Sequence, residues 1–193
     1  MHFRSAPVEK FFSTLPTYRW QALFFFLIAF PLAVQAAPYR QEIRVPLGLS
    51  WGDSLEKLEG MARPGGFSIT HREETAGKTI ITVHGLLGTA LQENLFVFQK
   101  NALAEIEYRY ADPAWSGQQY QDFFDSFRRM YDVKYGTGTQ LLHMNSKKPD
   151  EMMISLTGYQ WSDSSCILNL FYYTAEQSEK HIYRLISLHY KEP

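Results

Sequence analysis

Two helical patterns, each followed by four strand-like runs, constrain the fold of this 193-residue chain most strongly. The connections between consecutive runs are short, which favours antiparallel pairing because parallel strands need a long crossover connection. A sheet must bury its apolar face against another layer, and two helices are available to cover it. The pattern predicts an α+β fold with one antiparallel sheet and both helices packed on one face. The chain divides into two halves, residues 37–111 and 112–193. Each half is predicted to form a helix followed by a meander of strands, and the two meanders together make the sheet.

The first half contains a short helix and a tight hairpin. Asp53 is predicted to cap a helix that carries Leu55 and Leu58 at helical spacing and stops at Pro64-Gly65-Gly66. Before it, Ile43–Leu47 alternates and is predicted to be a short edge strand, since Pro46 cannot donate to a ladder. The four predicted strands of this half are Phe67–Arg72, Thr79–Leu86, Asn94–Phe98 and Ala102–Tyr110. Gln99-Lys100-Asn101 is predicted to form the tight turn between the last two.

The second half opens with the most regular helix pattern in the chain. Ser116 is the predicted cap and Gly136 the predicted end. An apolar stripe at helical spacing, predicted to pack in the core, consists of Tyr120, Phe123, Phe124, Phe127, Met130 and Tyr131. The four strands predicted to follow are Thr139–Met144, Met152–Trp161, Cys166–Thr174 and His181–Tyr190.

The N-terminus has the layout of a secretory signal peptide. Basic residues are followed by an apolar run over Ala22–Val34 and by the small-residue site Val34-Gln35-Ala36. The sequence therefore predicts cleavage after Ala36, a single domain over residues 37–193, and a periplasmic or secreted location. The alternative is an uncleaved anchor, but the run is shorter than the about 20 residues that span a bilayer, and Pro31 interrupts it. After cleavage we expect no stable membrane insertion.

Composition excludes several functional classes. The formal net charge is −1, and no cluster of Lys and Arg favours nucleic acid as a partner. Cys166 is the single cysteine, so no intramolecular disulfide is possible, and its strand-like surroundings predict a buried, inert thiol. The histidines lack metal-ligand spacing, and the chain lacks a phosphate-binding or dinucleotide-binding loop. The sequence therefore predicts no metal site and no cofactor.

Two segments match loose motifs of α/β-hydrolases. Gly48–Gly52 fits G-x-S-x-G around Ser50, and Val83–Gly88 fits a His-Gly oxyanion segment around His84. Their order along the chain is reversed relative to that family, and the strands lack the intervening helices that a parallel sheet requires. We therefore predict that the protein is not an enzyme and has no catalytic residues. A small envelope hydrolase using Ser50 and His84 remains the alternative.

The segment from Leu47 to Tyr110 resembles a known class of exported modules. It combines a Gly-containing turn, a short helix, several strands, Leu95–Phe98 and, across the hairpin, Asn101–Ile106. This layout is similar to the β-lactamase-inhibitor-protein type and to the accessory lipoprotein of the outer-membrane barrel-assembly machinery. The resemblance implies a non-catalytic module that binds a protein through its sheet or loops. The sequence departs from this class of modules because it has neither a lipidation cysteine nor paired cysteines. The resemblance implies no particular binding residue.

A sheet with helices on one face leaves its other face available to water or to a partner. Several strands of the second half are apolar on both faces, and exposed aromatic patches mark interfaces. Four residues are predicted to point away from the helices, namely Tyr159, Trp161, Phe171 and Tyr173. They are therefore predicted to form the interface with a protein of the cell envelope. Glu105, Glu107 and Arg109 are expected on a solvent-exposed face. Small-ligand binding in a curved sheet is a further alternative.

Overall fold

The computed structural model describes residues 40–86, 88, 90–147, 152–177 and 180–193. The predicted signal peptide and its cleavage site lie outside these residues. The described part of the chain belongs to one compact unit. Within it, no helix combines the length and the apolar character needed to cross a membrane.

Eight strands form one sheet in which every neighbouring pair is antiparallel. They are β1 (Ser68–Thr75), β2 (Lys78–His84), β3 (Leu91–Gln99), β4 (Ala102–Tyr110), β5 (Thr139–Lys147), β6 (Met152–Ser162), β7 (Ile167–Gln177) and β8 (Lys180–Lys191). The strand order is β1-β2-β3-β4-β8-β7-β6-β5. Each meander therefore keeps its sequence order, and the two meanders join through their last strands. The predicted α+β class with an antiparallel sheet is confirmed.

Helix α1 (Leu55–Gly65) precedes the first meander, but its start differs from the prediction. Ser54 is the N-cap residue, and the amide of Leu55 donates to the side-chain oxygen of Asn101 at 3.3 Å. Asp53 instead accepts hydrogen bonds from the Ser50 amide and the Lys57 ammonium. The prediction that Asp53 caps the helix is wrong, because the hairpin turn supplies the capping oxygen from 46 residues away.

Helix α2 (Gly117–Tyr135) has the predicted ends. The Ser116 hydroxyl accepts from the amide of Gln119, and the Gln119 side chain accepts from the amide of Ser116, which completes a capping box. Gly136 follows the last turn with a φ of 84°, a conformation that favours glycine. These local signals depend only on neighbouring residues, which is why the sequence located the helix.

The predicted edge strand Ile43–Leu47 is absent from the described structure. Pro46–Gly48 forms a 3₁₀ helix in which Leu47 has a φ of 61°. The backbone of Ile43 is occupied elsewhere: its amide donates to Asp163 Oδ2, and its carbonyl accepts from the Ser165 hydroxyl. The backbone of Ile43 is thus held by the turn between β6 and β7 and not by a neighbouring strand.

The main core lies on one face of the sheet, here called the core face. Phe96, Ile106, Leu168, Leu170 and Leu188 of this face are at most 1% exposed. Ring contacts connect α2 to the same face, and they join Tyr120 to Tyr172, Phe124 to Tyr172, and Tyr131 to Trp161.

The apolar stripe of α2 is largely buried, as its spacing predicts. Tyr120, Phe124 and Tyr131 are buried, while Phe123 and Phe127 are half-buried against the core. Met130 is 37% exposed, so its predicted place in the core is wrong. It lies at the edge of the stripe, where the helix surface already turns towards solvent. Leu55 and Leu58 of α1 belong to the same buried cluster as the α2 residues.

Candidate functional site on the second face of the sheet

The opposite face of the sheet, here called the second face, combines a charged centre with an apolar flank. Strand pairing places Glu105, Glu107 and Arg109 of β4 opposite Lys191, His189 and Ser187 of β8, in that order. Because directly opposed residues share a face, these side chains form one surface.

Beyond β8, the second face becomes apolar over β7, β6 and β5. Tyr173 pairs with Leu185 on one side and with Leu156 on the other, and Leu156 pairs in turn with Met144. We call this surface the apolar patch; its members are Leu142, Met144, Leu156, Phe171, Tyr173, Tyr183 and Leu185. Met144 and Tyr183 are 49% and 47% exposed, and the other members are half-buried. Exposed apolar area of this kind is characteristic of interaction surfaces.

Phe171 occupies the space that Gly158 leaves free. A Cβ atom built on Gly158 would lie 2.6 Å from the Phe171 ring and 3.6 Å from Leu142 Cγ. The Phe171 ring therefore lies flat against the backbone of β6, where a larger residue would displace it. Its other neighbour is His189, whose ring centre lies 5.4 Å away in an edge-to-face arrangement. Phe171 thus links the apolar patch to the charged centre.

His189 is the centre of the polar network on this face. Its Nδ1 lies 3.0 Å from Glu105 Oε1, and its Nε2 lies 3.0 Å from Ser187 Oγ and 3.8 Å from Glu107 Oε1. Lys191 Nζ lies 3.3 Å from the same Glu105 oxygen. Burial by itself would raise the pKa of Glu105, but the hydrogen bond with His189 and the charge of Lys191 hold it below its ordinary value.

Arg109 extends the network towards β3. Its guanidinium lies 2.7 Å from Glu107 and 3.1 Å from Glu93. Glu105, Glu107 and Arg109 are half-buried and paired, so the expectation of a freely solvated face is wrong for them. The sequence missed this network because His189 and Lys191 lie more than 80 residues from Glu105, and only strand pairing brings them together.

The chain of contacts from Glu105 through His189 to Ser187 has the connectivity of an acid–His–Ser triad. Ser187 is only 6% exposed. It lies on β8, between β4 and β7, and pairs with Arg109 on one side and with Phe171 on the other. Its neighbouring backbone amides are therefore used by the two ladders, and they cannot converge on a developing oxyanion. The arrangement fixes the imidazole between Glu105 and Ser187.

The structure divides the four predicted interface residues between the two faces. Phe171 and Tyr173 lie on the second face, as expected. Tyr159 and Trp161 lie on the core face, so the prediction that they point away from the helices is wrong. Trp161 is 3% exposed and packs on Tyr131 of α2. Tyr159 lies under Arg128 of α2, whose guanidinium carbon is 4.3 Å from the ring centre.

The residues of the hydrolase motif lie in separate elements. Ser50 is exposed in the turn before α1, where its amide donates to Asp53, and His84 is the exposed last residue of β2. In the described part of the chain, no hydrogen bond joins these two side chains. Cys166 is fully buried, as predicted, and burial raises its pKa to about 11, so the thiol carries little nucleophilic character.

A cleft of about 290 Å³ lies beside α2 on the core-face side. Its walls come from one side of the helix and from β5, β6 and β7, and they include Phe124, Arg128, His143, Tyr159 and Tyr172. The His143 ring also hydrogen-bonds the Thr157 hydroxyl at 3.1 Å. Aromatic and polar side chains therefore line this cleft together. Among the described residues, no three His, Cys, Asp or Glu side chains are grouped to hold a metal ion.

Comparison with known proteins gives no family to which these features could be assigned. No family model matches the chain, and neither a curated protein nor a solved structure was found to match it.

Proposed function

We propose that this chain is an exported, non-catalytic module that binds a protein of the cell envelope through the second face of its sheet. In this proposal both helices cover the core face, and the second face is left to the partner. The N-terminal signal pattern supports a periplasmic or secreted location. The observation that carries the binding function is the apolar patch beside an ordered charged centre.

The composition of this surface supports a specific protein interface. Aromatic and aliphatic side chains such as Phe171 and Tyr173 supply contact area, and rigid aromatic residues are common at binding hot spots. The neighbouring network holds Arg109 in a fixed position between Glu93 and Glu107, so the guanidinium N–H groups that these carboxylates leave unused are preorganised to pair with polar groups of a partner. The resemblance of residues 47–110 to inhibitor-type modules implies the same class of function.

Capture from an envelope extract tests this proposal when surface variants are compared. The immobilised wild-type protein should retain one or more partners. The double variant that combines Tyr173→Ala and Tyr183→Ala should reduce retention at least about tenfold, as expected for aromatic hot spots. Val133→Ala is the matched control, because Val133 is 85% exposed on α2 and outside the patch. Equal retention by all three proteins, each shown to be folded, would contradict binding through the second face.

A hydrolase is the second candidate, and one observation favours it. The observation is the Glu105–His189–Ser187 chain, which differs from the Ser50/His84 site that the sequence suggested. For this candidate to act, Ser187 would have to become accessible to a substrate. It would also need backbone amides as oxyanion donors, and the amides near it are hydrogen-bonded to the neighbouring strands. A small-ligand module using the cleft beside α2 is the third candidate.

A further inference from the structure

The cleft beside α2 owes part of its polar wall to an irregularity in β5. The register of β5 shifts between Gln140 and Leu142, because the pairing with β6 skips one residue, Leu141. Such a bulge changes the face on which the following side chains lie. Gln140 and His143 are three residues apart and would lie on opposite faces of a regular strand, yet both line the cleft. The bulge therefore gives the strand side of the cleft an amide and an imidazole, which can both hydrogen-bond a polar ligand.

Arg128 of α2 brings a positioned cation to the same cleft. Its guanidinium carbon lies 4.3 Å from the centre of the Tyr159 ring, and this contact holds the group over the ring. Its one ion-pair partner among the described residues is Asp132, at a nitrogen–oxygen distance of 3.7 Å that is too long for a hydrogen bond. The guanidinium therefore keeps its N–H donors available, and their fork geometry suits a carboxylate.

Asp125 lines the cleft with the opposite charge. One of its oxygens accepts a hydrogen bond from the Gln121 side chain at 3.1 Å. Opposite charges three residues apart on a helix commonly pair. Within the part of the chain that the structure describes, however, no ion pair joins Asp125 to Arg128. The cleft therefore presents a cation and an anion that are not neutralised by direct contact with each other.

We propose that this cleft binds a small zwitterion, an α-amino acid with an aromatic side chain. In this complex the ligand carboxylate pairs with Arg128, and the ligand ammonium pairs with Asp125. A ligand with only one of these charges would also meet a like charge in the cleft, which opposes binding.

The remaining walls favour an apolar ring of limited size. Phe124 and Tyr172 line the cleft with aromatic rings whose centres lie 5.6 Å apart, and the ligand ring packs against them. The volume of about 290 Å³ is near the lower limit of the about 300–1,000 Å³ typical of ligand pockets. This size favours a single amino acid over a longer peptide.

This inference does not rest on the proposed function, because the cleft lies on the core-face side and the proposed interface lies on the second face. A heteronuclear NMR titration of the wild-type protein with L-phenylalanine should show saturable binding with a dissociation constant below about 1 mM. Three analogues each remove one feature of the ligand: 3-phenylpropanoate lacks the ammonium, 2-phenylethylamine lacks the carboxylate, and L-alanine lacks the ring. Each should bind at least about tenfold more weakly, because one group of the cleft then has no counterpart.

Charge-removing variants of α2 locate the site. Arg128→Gln and Asp125→Asn should each weaken the binding of L-phenylalanine at least about tenfold, since each removes the partner of one ligand charge. Arg129→Gln and Asp122→Asn are the matched controls, because both residues are exposed on α2 and do not line the cleft. Both control variants should bind L-phenylalanine as the wild type does.

The analogue series uses the wild-type protein alone, so it decides the outcome even if a variant unfolds. Absence of chemical-shift changes at about 10 mM L-phenylalanine would overturn the proposal, since a site of the stated affinity would then be saturated. Equal affinity for L-phenylalanine and for either singly charged analogue would overturn the recognition of a zwitterion. Unchanged affinity in folded Arg128→Gln and Asp125→Asn would overturn the location of the site.

Discussion

The indole Nε1 of Trp161 donates a hydrogen bond of 2.9 Å to the backbone carbonyl of Gly136, the residue that ends α2. The same nitrogen lies 3.2 Å from Asp132 Oδ1, and a Cβ atom on Gly138 would lie 2.6 Å from the ring. Trp161 therefore fixes the end of the helix and the start of the following chain against β6. Its position makes it a core residue, and its loss should affect the fold before any interface.

Trp161→Ala should lower the free energy of unfolding by about 3–5 kcal/mol, the range for truncating a buried aromatic residue. Urea unfolding followed by circular dichroism measures this change. Tyr183→Ala serves as the control, since an exposed residue has little packing to lose and should cost less than about 1 kcal/mol. A loss below about 1 kcal/mol for Trp161→Ala would contradict its place in the core.

Asp163 connects the start of the described chain to the turn between β6 and β7. Its carboxylate accepts from the amides of Ile43, Ser165 and Cys166 and from the Ser165 hydroxyl. Asp163→Ala leaves these donors without their partner, so we expect it to cost about 1–3 kcal/mol of unfolding free energy. Asp163→Asn keeps one carbonyl acceptor and should cost less.

The Asp163 carboxylate also predicts a dependence of stability on pH. Burial alone would raise the pKa of Asp163, but the hydrogen bonds from Ile43, Ser165 and Cys166 outweigh it and lower the pKa. A pKa that is lower in the folded state gives stability that is present above the unfolded value of about 3.9 and is lost as the pH falls through the folded value. The acid limb of a stability–pH curve should therefore be shallower in Asp163→Asn than in the wild type. Identical acid limbs would show that Asp163 does not contribute.

The parts of the fold that the sequence located are those specified by neighbouring residues. Ser116 and Gly136 mark the ends of α2, and β4 has the predicted bounds Ala102–Tyr110. The turn predicted over Gln99-Lys100-Asn101 was located to within one residue: Gln99 is the last residue of β3, and Lys100 and Asn101 form the turn with positive φ, which Asn tolerates well. Local chemistry determines each of these features, and no distant contact overrides it.

The candidate site could be predicted only in part, because it depends on the register between strands. The error concerned β6 and β7: Trp161 pairs with Leu168 and Tyr159 pairs with Leu170, whereas Phe171 pairs with Gly158. Both strands are apolar on their two faces, so alternation gives no signal for which set is inside. A slip of one residue in the turn between them exchanges the two sets, and only the structure fixes that turn.

Phe124 and Met130 test how the apolar stripe of α2 divides between core and solvent. Phe124 is 2% exposed and contacts Tyr159 and Tyr172, so Phe124→Ala should cost about 3–5 kcal/mol of unfolding free energy. Met130→Ala should cost less than about 1 kcal/mol, because Met130 is 37% exposed. Chemical denaturation of both variants measures the difference, and similar losses would mean that α2 is rotated from the orientation described.

Neither Ser50 nor Ser187 should react as an activated nucleophile. A fluorophosphonate probe labels a serine when a base and oxyanion donors are both in place. Ser50 has no hydrogen bond to His84, and the amides around Ser187 are used by the strands on both sides. Intact mass spectrometry after incubation should show no adduct on the folded protein. Stoichiometric labelling at Ser187, lost in His189→Ala, would make the hydrolase candidate the leading one.

The N-terminus of the exported protein should be Ala37 or a residue close to it. The signal pattern ends in Val34-Gln35-Ala36, and signal peptidase requires small residues at the end of such a segment. Edman sequencing of protein recovered from the exported fraction measures the new terminus.

Ala36→Arg should block processing because the bulky charged side chain replaces the small residue, and the unprocessed chain should remain with the membrane fraction. The matched control Ala37→Arg changes the residue after the site and should still be cleaved. Exported protein that retains residues before Gln35 would contradict the prediction, and the compartment assigned in the proposed function would then lose its support.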